Sequence, residues 1–179
     1  TRLPNKSILK IKDKYTIEYV INSVKKSKYA DKVILCTTRN SEDDILCEIA
    51  EKNNIEFYRG SELNKFKRWA DAAEKFDLGS IHESNVETEP FELENWFDTS
   101  QLGHQLYYTQ TLQNVPDIYE KKYRMTLDYN EDFTFFKRII EDLDDVFSFK
   151  DVLDYIENNK SVIDINYFRE QDWKINQGI

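Results

Sequence analysis

The run Val33-Ile34-Leu35-Cys36 decides the fold class, because it is short, continuously apolar and bounded by polar turns. Such a run predicts a strand that is buried on both faces. A helix is predicted before it, since apolar residues recur there at helical spacing. These residues are Ile17, Val20, Ile21 and Val24.

The same alternation continues downstream. The segment Ser41-Glu42-Asp43-Asp44 is acidic and suits a helix N-terminus. It is followed by residues that would form one apolar helix face: Ile45, Leu46, Ile49 and Ala50. The run Ile55 to Tyr58 has strand character, and Gly60 is expected to permit a turn after it. A third helical stripe comprises Phe66, Trp69, Ala70 and Ala73.

This order of elements predicts an α/β fold with a mostly parallel sheet and helices on both faces. Ligands of such sheets bind beyond the carboxyl ends of the strands. The loops of interest are therefore Thr37 to Asn40 and Arg59 to Glu62. The alternative is that both loops are ordinary polar connectors.

Composition narrows the function classes. The 179 residues fit a single domain spanning 1–179. A formal charge of -9 argues against a nucleic-acid binder. Membrane association is not expected, because no apolar run approaches the roughly 18 residues of a membrane span. Cys36 and Cys47 predict buried thiols in a reducing compartment, so a cytoplasmic location is expected.

The opening turn, Thr1-Arg2-Leu3-Pro4-Asn5-Lys6, carries two cations four residues apart. Arg can form paired hydrogen bonds with a phosphate and Lys adds a point charge. The turn therefore suits an anionic ligand such as a polyphosphate. The alternative is that Arg2 and Lys6 only solvate a frayed terminus.

Four segments resemble, in order and spacing, the cytidylyltransferases that activate acidic sugars, in particular the branch of the spore coat polysaccharide biosynthesis protein F. The segments are the opening turn, residues 30–38, residues 58–62 taken with 68–74, and Arg124-Met125-Thr126-Leu127-Asp128-Tyr129-Asn130-Glu131-Asp132-Phe133. Acylneuraminate cytidylyltransferases are related to this branch. The resemblance covers residues 1 to about 76 and about 122 to 166.

The resemblance implies a Rossmann-like nucleotide-diphospho-sugar transferase that transfers CMP from CTP to an acidic or phosphorylated sugar, for surface polysaccharide synthesis. It implies that Arg2 and Lys6 are catalytic and hold the triphosphate, and that Mg²⁺ assists. The implied substrate-binding residues are Thr37, Thr38, Arg59, Gly60, Ser61, Arg68 and Asp128. A homodimer is a further possibility that the resemblance raises.

The sequence departs from the family in two places. Compared with the family, the strand before the opening turn and a β-α unit with a metal-binding Asp near residues 77–78 are expected to be absent, and they are either deleted from the protein or only left out of this sequence. Glu87 and Glu89 are candidates for binding the metal, with a solvated acidic surface as the alternative. Tyr107 and Tyr108 are candidates for contacts with the sugar or a second subunit, with core packing as the alternative.

The last third of the chain predicts local structure. Asp128 is expected to end a short strand, where it either binds ligand or ties the loop. Asn130 is expected to cap a helix that buries Phe136, Ile139, Ile140 and Leu143. Ser148 is expected to cap a final helix with Val152, Leu153 and Ile156 inward.

Three function classes remain open. The first is the CTP-dependent enzyme. The second is a glycosyltransferase that uses a nucleotide sugar, and the third is a catalytically silent nucleotide-sugar-binding domain. Release of pyrophosphate from CTP separates the first class from the other two.

Overall fold

A computed structural model describes residues 3–28, 30–78 and 123–177. These residues form two compact units. The N-terminal unit comprises residues 7–28 and 30–78, and the C-terminal unit comprises residues 3–6 together with 123–177. No helix within these residues is long and apolar enough to cross a bilayer.

The N-terminal unit contains three helices and four strands, introduced by a 3-10 turn at Lys6–Ile8 and interrupted by another at Ser41–Asp43. In chain order they are β1 (Lys10–Ile11), β2 (Lys14–Tyr15), α1 (Thr16–Lys25), β3 (Ile34–Thr38), α2 (Asp44–Lys52), β4 (Glu56–Gly60) and α3 (Lys65–Phe76). The three predicted helices are confirmed. Strands β1 and β2 form an antiparallel pair that the sequence pattern did not predict.

Strands β3 and β4 form a parallel pair, in which Ile34 lies opposite Glu56 and Thr38 opposite Gly60. Helices α2 and α3 contact both strands. An α/β fold with helices and a small parallel sheet is therefore confirmed, whereas the wider sheet with helices on both faces stays a prediction. The expectation of continuously buried strands was wrong, because only Thr37 and Gly60 are buried in this pair.

Gly60 does not form a turn, as had been predicted, but is the last residue of β4. Glycine is required at this position because neighbouring side chains leave no room for a Cβ atom. A Cβ atom at Gly60 would lie 2.8 Å from Cγ of Arg68 and 2.8 Å from the ring of Tyr58. The close approach lets α3 pack against the end of the strand.

Polar residues define the helix ends of the N-terminal unit. Glu18 is buried in the first turn of α1, and its carboxylate accepts hydrogen bonds from the backbone N–H of Tyr15 and from Lys52. Asn64 caps α3 by accepting from the backbone N–H of Lys67 at 2.8 Å. Helix α3 ends where Asp77 adopts the left-handed conformation.

The C-terminal unit is helical. It contains α4 (Asn130–Asp142), α5 (Phe149–Asn158), a 3-10 helix (Lys160–Ile165) and α6 (Arg169–Gln177). Side chains from α4, α5 and the 3-10 helix form its core: Phe135, Ile139, Val152, Ile156 and Val162. The predicted cap at Ser148 is confirmed, since its hydroxyl accepts from the backbone N–H of Asp151.

Three local predictions in this unit were wrong. Asn130 is the first helical residue rather than the cap, because the carboxylate of Asp132 accepts from the backbone N–H of Tyr129 and closes the helix start. Phe135 rather than Phe136 is fully buried in α4. Asp128 does not end a strand, because the structure has no strand over residues 123–128.

Candidate functional site

A lysine from the opening segment and an aspartate from the second half of the chain form an ion pair in the C-terminal unit. Lys6 Nζ lies 3.0 Å from Asp128 Oδ1, and the two side chains are 19% and 7% exposed. The backbone N–H of Leu3 also donates to the carbonyl of Asp128 at 2.6 Å. Two residues that the sequence singled out separately are therefore neighbours.

Asp132 fixes the backbone around Asp128. Its Oδ2 atom accepts hydrogen bonds from the backbone N–H groups of Asp128 and Tyr129, at 2.9 and 3.0 Å. Both carboxylate oxygens also accept from Arg124, at 2.8 and 3.0 Å. A buried carboxylate with this many donors is held in one orientation, so the position of Asp128 is fixed with it.

Arg124 is the cation at the centre of this network. Its side chain is 1% exposed and that of Asp132 is fully buried. Arg124 also lies 3.3 Å from Glu170 of α6 and 3.8 Å from Asp128. Burial alone would lower the pKa of Arg124, but its hydrogen bonds with Asp132 and Glu170 outweigh burial and raise the pKa.

This arrangement can bind an anion. The side chain of Lys6 is partly exposed, and the carboxylate that its ammonium contacts is anchored to a buried network, so the cation is held in a defined place. Asp128 also offers a hard oxygen ligand. Residues 3–28, 30–78 and 123–177 contain no group of three or more metal-ligating side chains, so a cation at Asp128 would take its other ligands from elsewhere.

At the carboxyl end of β3, the hydroxyls of Thr37 and Thr38 both donate to Asp43 Oδ2, at 2.7 and 2.5 Å. The backbone N–H of Thr38 donates to the same oxygen at 3.0 Å. Burial alone would raise the pKa of the Asp43 carboxyl, but these bonds outweigh burial and lower it below the ordinary value of 3.8. The two threonines thus hold the turn that starts α2.

The lowered pKa of Asp43 predicts a pH-dependent contribution to stability. A carboxyl whose pKa is lower in the folded state stabilises the protein above its ordinary value of 3.8, and the stabilisation is lost as the pH falls through the lowered value. We expect Asp43→Asn to be less stable than the wild type at pH 7, and the difference to shrink below about pH 3.8. Urea unfolding between pH 7 and pH 3 measures the free energy of unfolding of both proteins.

The control for this prediction is Asp31→Asn, which changes an exposed aspartate of the same unit. Its stability should follow that of the wild type across the pH range. A stability difference for Asp43→Asn that is the same at pH 7 and pH 3 would contradict the prediction.

Arg59 joins the carboxyl ends of the two parallel strands. Its guanidinium donates to the carbonyl of Thr38 at 2.9 Å, to the carbonyl of Asn40 at 2.7 Å and to the carboxylate of Asp44 at 2.5 Å. Arg59 therefore has a structural role, and its remaining N–H groups are the ones that could serve a ligand.

Ser61 and Arg68, also predicted to bind substrate, contact each other. Arg68 donates to the carbonyl of Ser61 at 2.6 Å, and the hydroxyl of Ser61 accepts from the backbone N–H of Asn64. Gly60 lies against both Arg68 and Tyr58. The structure thus gathers Thr37, Thr38, Arg59, Gly60, Ser61 and Arg68 within the N-terminal unit, at the ends of β3 and β4.

The other predicted site residues lie outside the described residues. They are Arg2, Glu87, Glu89, Tyr107 and Tyr108. Their roles stay predictions.

Sequence reasoning assigned no role in the site to Asp43, Arg124, Asp132 or Asn166, each of which is bonded to a candidate residue or its support. A signal existed for two of them, since Arg124 and Asp132 flank Asp128 at equal spacings of four. Asp43 was read only as a helix-start acid. Asn166 gave no signal, because its partners lie far away in the sequence.

Comparisons with known proteins place this geometry in context. A family model described as cytidylyltransferase matches residues 1–91, just over half of the chain. The uncharacterized protein MJ1063 of Methanocaldococcus jannaschii is 35% identical over 80 residues, which are 45% of this chain and 32% of that protein. The match therefore spans about a third of the length of this relative.

A solved structure shares the fold. A cytidylyltransferase from Leptospira borgpetersenii serovar Hardjo-bovis aligns with a TM-score of 0.64 over 91% of both chains, at 22% sequence identity. The family model covers the N-terminal segments from which the resemblance was inferred. The chain belongs to the cytidylyltransferase family.

Proposed function

We propose that the protein transfers CMP from CTP to an acidic or phosphorylated sugar, with release of pyrophosphate, as a cytoplasmic step in surface polysaccharide synthesis. Membership of the family supports CTP as the substrate. The observation that carries the proposal is the pair formed by Lys6 and Asp128, at 3.0 Å. It joins the opening turn to the fourth family-like segment, since Lys6 and Asp128 are 122 residues apart.

The proposed reaction is an in-line displacement at phosphorus. An anionic oxygen of the sugar, either a phosphate oxygen or a hydroxyl that gives up its proton to water, attacks the α-phosphorus of CTP, the bond to the bridging oxygen of the β-phosphate breaks, and pyrophosphate leaves with the electron pair. Charge develops on the leaving group, so a fixed cation that contacts the β and γ phosphates stabilises the transition state. Lys6 supplies this cation, and Arg2 is proposed to supply a second.

Asp128 has two proposed roles. It orients the ammonium of Lys6, and its carboxylate would hold Mg²⁺. The donor chemistry fits, because Mg²⁺ prefers oxygen ligands and commonly takes one or two carboxylates, with phosphate oxygens and water completing its shell. When bound, Mg²⁺ would neutralise charge on the phosphate oxygens. Glu87 and Glu89 stay proposals for further ligands.

The residues at the ends of β3 and β4 are proposed to bind the nucleotide or the sugar. Arg59 can do so with the N–H groups that its three internal bonds leave over. The hydroxyls of Thr37 and Thr38 are bonded to Asp43. We therefore assign them to shaping this edge, with hydroxyl lone pairs as the groups that could contact a ligand.

The test is pyrophosphate release by the full chain with CTP, Mg²⁺ and a panel of 2-keto-3-deoxy sugar acids and sugar phosphates. Release that depends on both CTP and one of the sugars supports the proposal. Transfer from a preformed nucleotide sugar without pyrophosphate release would indicate a glycosyltransferase instead. CTP binding without turnover on any sugar of the panel would indicate a silent binding domain.

Substitution of Lys6 gives a prediction for the nucleotide alone. We expect Lys6→Ala to weaken CTP binding by about 1 to 3 kcal/mol, because a hydrogen bond to a charged group is lost. Titration calorimetry with CTP and Mg²⁺ measures the change without any knowledge of the sugar.

The matched control is Lys137→Ala, which removes a lysine from an exposed ion pair with Glu141 in the same unit. Its affinity for CTP should equal that of the wild type. Equal affinity of Lys6→Ala and wild type would refute the role of Lys6.

A further inference from the structure

Asn166 is a buried amide that bridges two parts of the network around Asp128. It is 1% exposed and follows the 3-10 helix Lys160–Ile165. Its Nδ2 atom donates to the carbonyl of Arg124 at 3.1 Å and to Asp132 Oδ1 at 3.0 Å. Because both partners are acceptors, only the NH₂ group can face them, and the orientation of the amide is fixed chemically.

In this orientation the other end of the amide, its oxygen, lacks a hydrogen-bond donor among the described residues. The Oδ1 atom of Asn166 is buried and has no hydrogen-bond partner among the residues that the structure describes. A buried acceptor without a partner destabilises the protein, so the contribution of Asn166 to stability is reduced. The two groups that Asn166 holds are the carbonyl of Arg124 and the carboxylate of Asp132.

Those groups lead directly to the candidate site. Asp132, held by Asn166 through Oδ1, accepts from the backbone N–H of Asp128 through Oδ2. Asp128 in turn accepts from Lys6 at 3.0 Å. Two hydrogen bonds therefore separate Asn166 from Asp128, and three separate it from the ammonium of Lys6.

We propose that Asn166 is a positioning residue for Asp128 and Lys6. The inference rests on the proposed CTP reaction, in which these two groups contact the triphosphate and its metal. Asn166 itself touches neither. Without the amide, Asp132 and the carbonyl of Arg124 lose their common donor, and the backbone at Asp128 gains freedom.

The chain offers a chemically matched control in the N-terminal unit. Asn53 Nδ2 also donates to one carboxylate and one backbone carbonyl, those of Glu18 and Ile49, at 3.1 and 2.8 Å. It lies at the C-terminal end of α2, before β4, and so at the opposite end of the strand from Arg59. Asn53→Ala therefore removes the same kind of bridge away from the candidate residues.

The experiment compares Asn166→Ala with Asn53→Ala in the full chain, at a temperature where circular dichroism shows both to be folded. Titration calorimetry gives the affinity for CTP with Mg²⁺, and urea unfolding gives the stability. We expect Asn166→Ala to bind CTP about tenfold more weakly than the wild type, the equivalent of one or two lost hydrogen bonds. We expect Asn53→Ala to lose stability but to bind CTP within about twofold of the wild type.

A second measurement is independent of CTP. Hydrogen exchange at the amides of Asp128 and Tyr129 should accelerate in Asn166→Ala by more than its loss of global stability explains, because these amides donate to Asp132. Should Asn166→Ala fail to fold, Asn166→Gln takes its place. Gln keeps the amide but shifts it by one methylene, and it should weaken CTP binding and accelerate exchange in the same direction.

Each result decides one question. Wild-type affinity in folded Asn166→Ala, or an equal loss of affinity in Asn53→Ala, would overturn the positioning role. A wild-type chain that does not bind CTP would overturn the proposed function. In that case accelerated exchange in the variant would still support control of Asp128 by Asn166, and unchanged exchange would refute it.

Discussion

Asp132→Ala is expected to lower the free energy of unfolding by about 3 to 5 kcal/mol, the range for removing one partner of a buried ion pair. Arg124 would keep its charge in a position where only 1% of its side chain is exposed. The backbone N–H groups of Asp128 and Tyr129 would lose their acceptor as well. Urea unfolding, followed by circular dichroism, measures the change.

The control for this variant is Asp154→Ala, which breaks an ion pair with Lys150 on the exposed face of α5. Surface pairs of this kind contribute about 0.3 to 0.5 kcal/mol, so the control should unfold almost as the wild type does. If both variants lost the same small amount of stability, the buried network would not have the role that its geometry indicates.

Asp128→Ala is expected to reduce the rate of pyrophosphate release by about 10²-fold or more, comparable with the loss of one group that stabilises the transition state. The variant would remove both the carboxylate that orients Lys6 and the oxygen ligand proposed for Mg²⁺. Asp128→Asn should show a similar loss, because an amide keeps the shape but not the charge.

Asp164→Ala serves as the control, since this aspartate is exposed and lies in the 3-10 helix of the same unit. Its turnover should match that of the wild type. Turnover by a folded Asp128→Ala variant at the rate of the wild type would exclude Asp128 from the reaction.

The sequence predicted those elements whose signals are local. Helix α1 follows from apolar residues at helical spacing, and the start of α5 follows from the hydroxyl of Ser148. The start of α4 was missed by one residue, because the carboxylate of Asp132 can bond the backbone N–H of Tyr129 and make Tyr129 the cap instead of Asn130, and only the folded backbone shows that it does. Local rules cannot choose between two competent caps.

The role of Gly60 was misjudged for a related reason. Glycine after an apolar run indicates a turn, but here it allows the side chain of Arg68 to approach β4. That approach depends on how α3 packs against the strand. Sequence pattern carries no information on such distances.

For the candidate site, the sequence identified residues but not contacts. Lys6 and Asp128 were each singled out, yet their pairing depends on folding over 122 residues. Asn166 was not predicted for the same reason, because its partner Asp132 is 34 residues away in the sequence. Thr37 and Thr38 were predicted to contact substrate, and the bonds of their hydroxyls to Asp43 became apparent only in three dimensions.

The attachment of Leu3 to Asp128 has a consequence for biosynthesis. The ribosome makes the chain from its N-terminus, so Lys6 leaves the exit tunnel long before its partner carboxylate, which follows 122 residues later. The parallel pair of β3 and β4 needs only residues up to Gly60 and can form in the meantime. A nascent chain therefore cannot assemble the cation and the carboxylate until Asp128 has been translated, and products that terminate before Asp128 would lack the pair altogether.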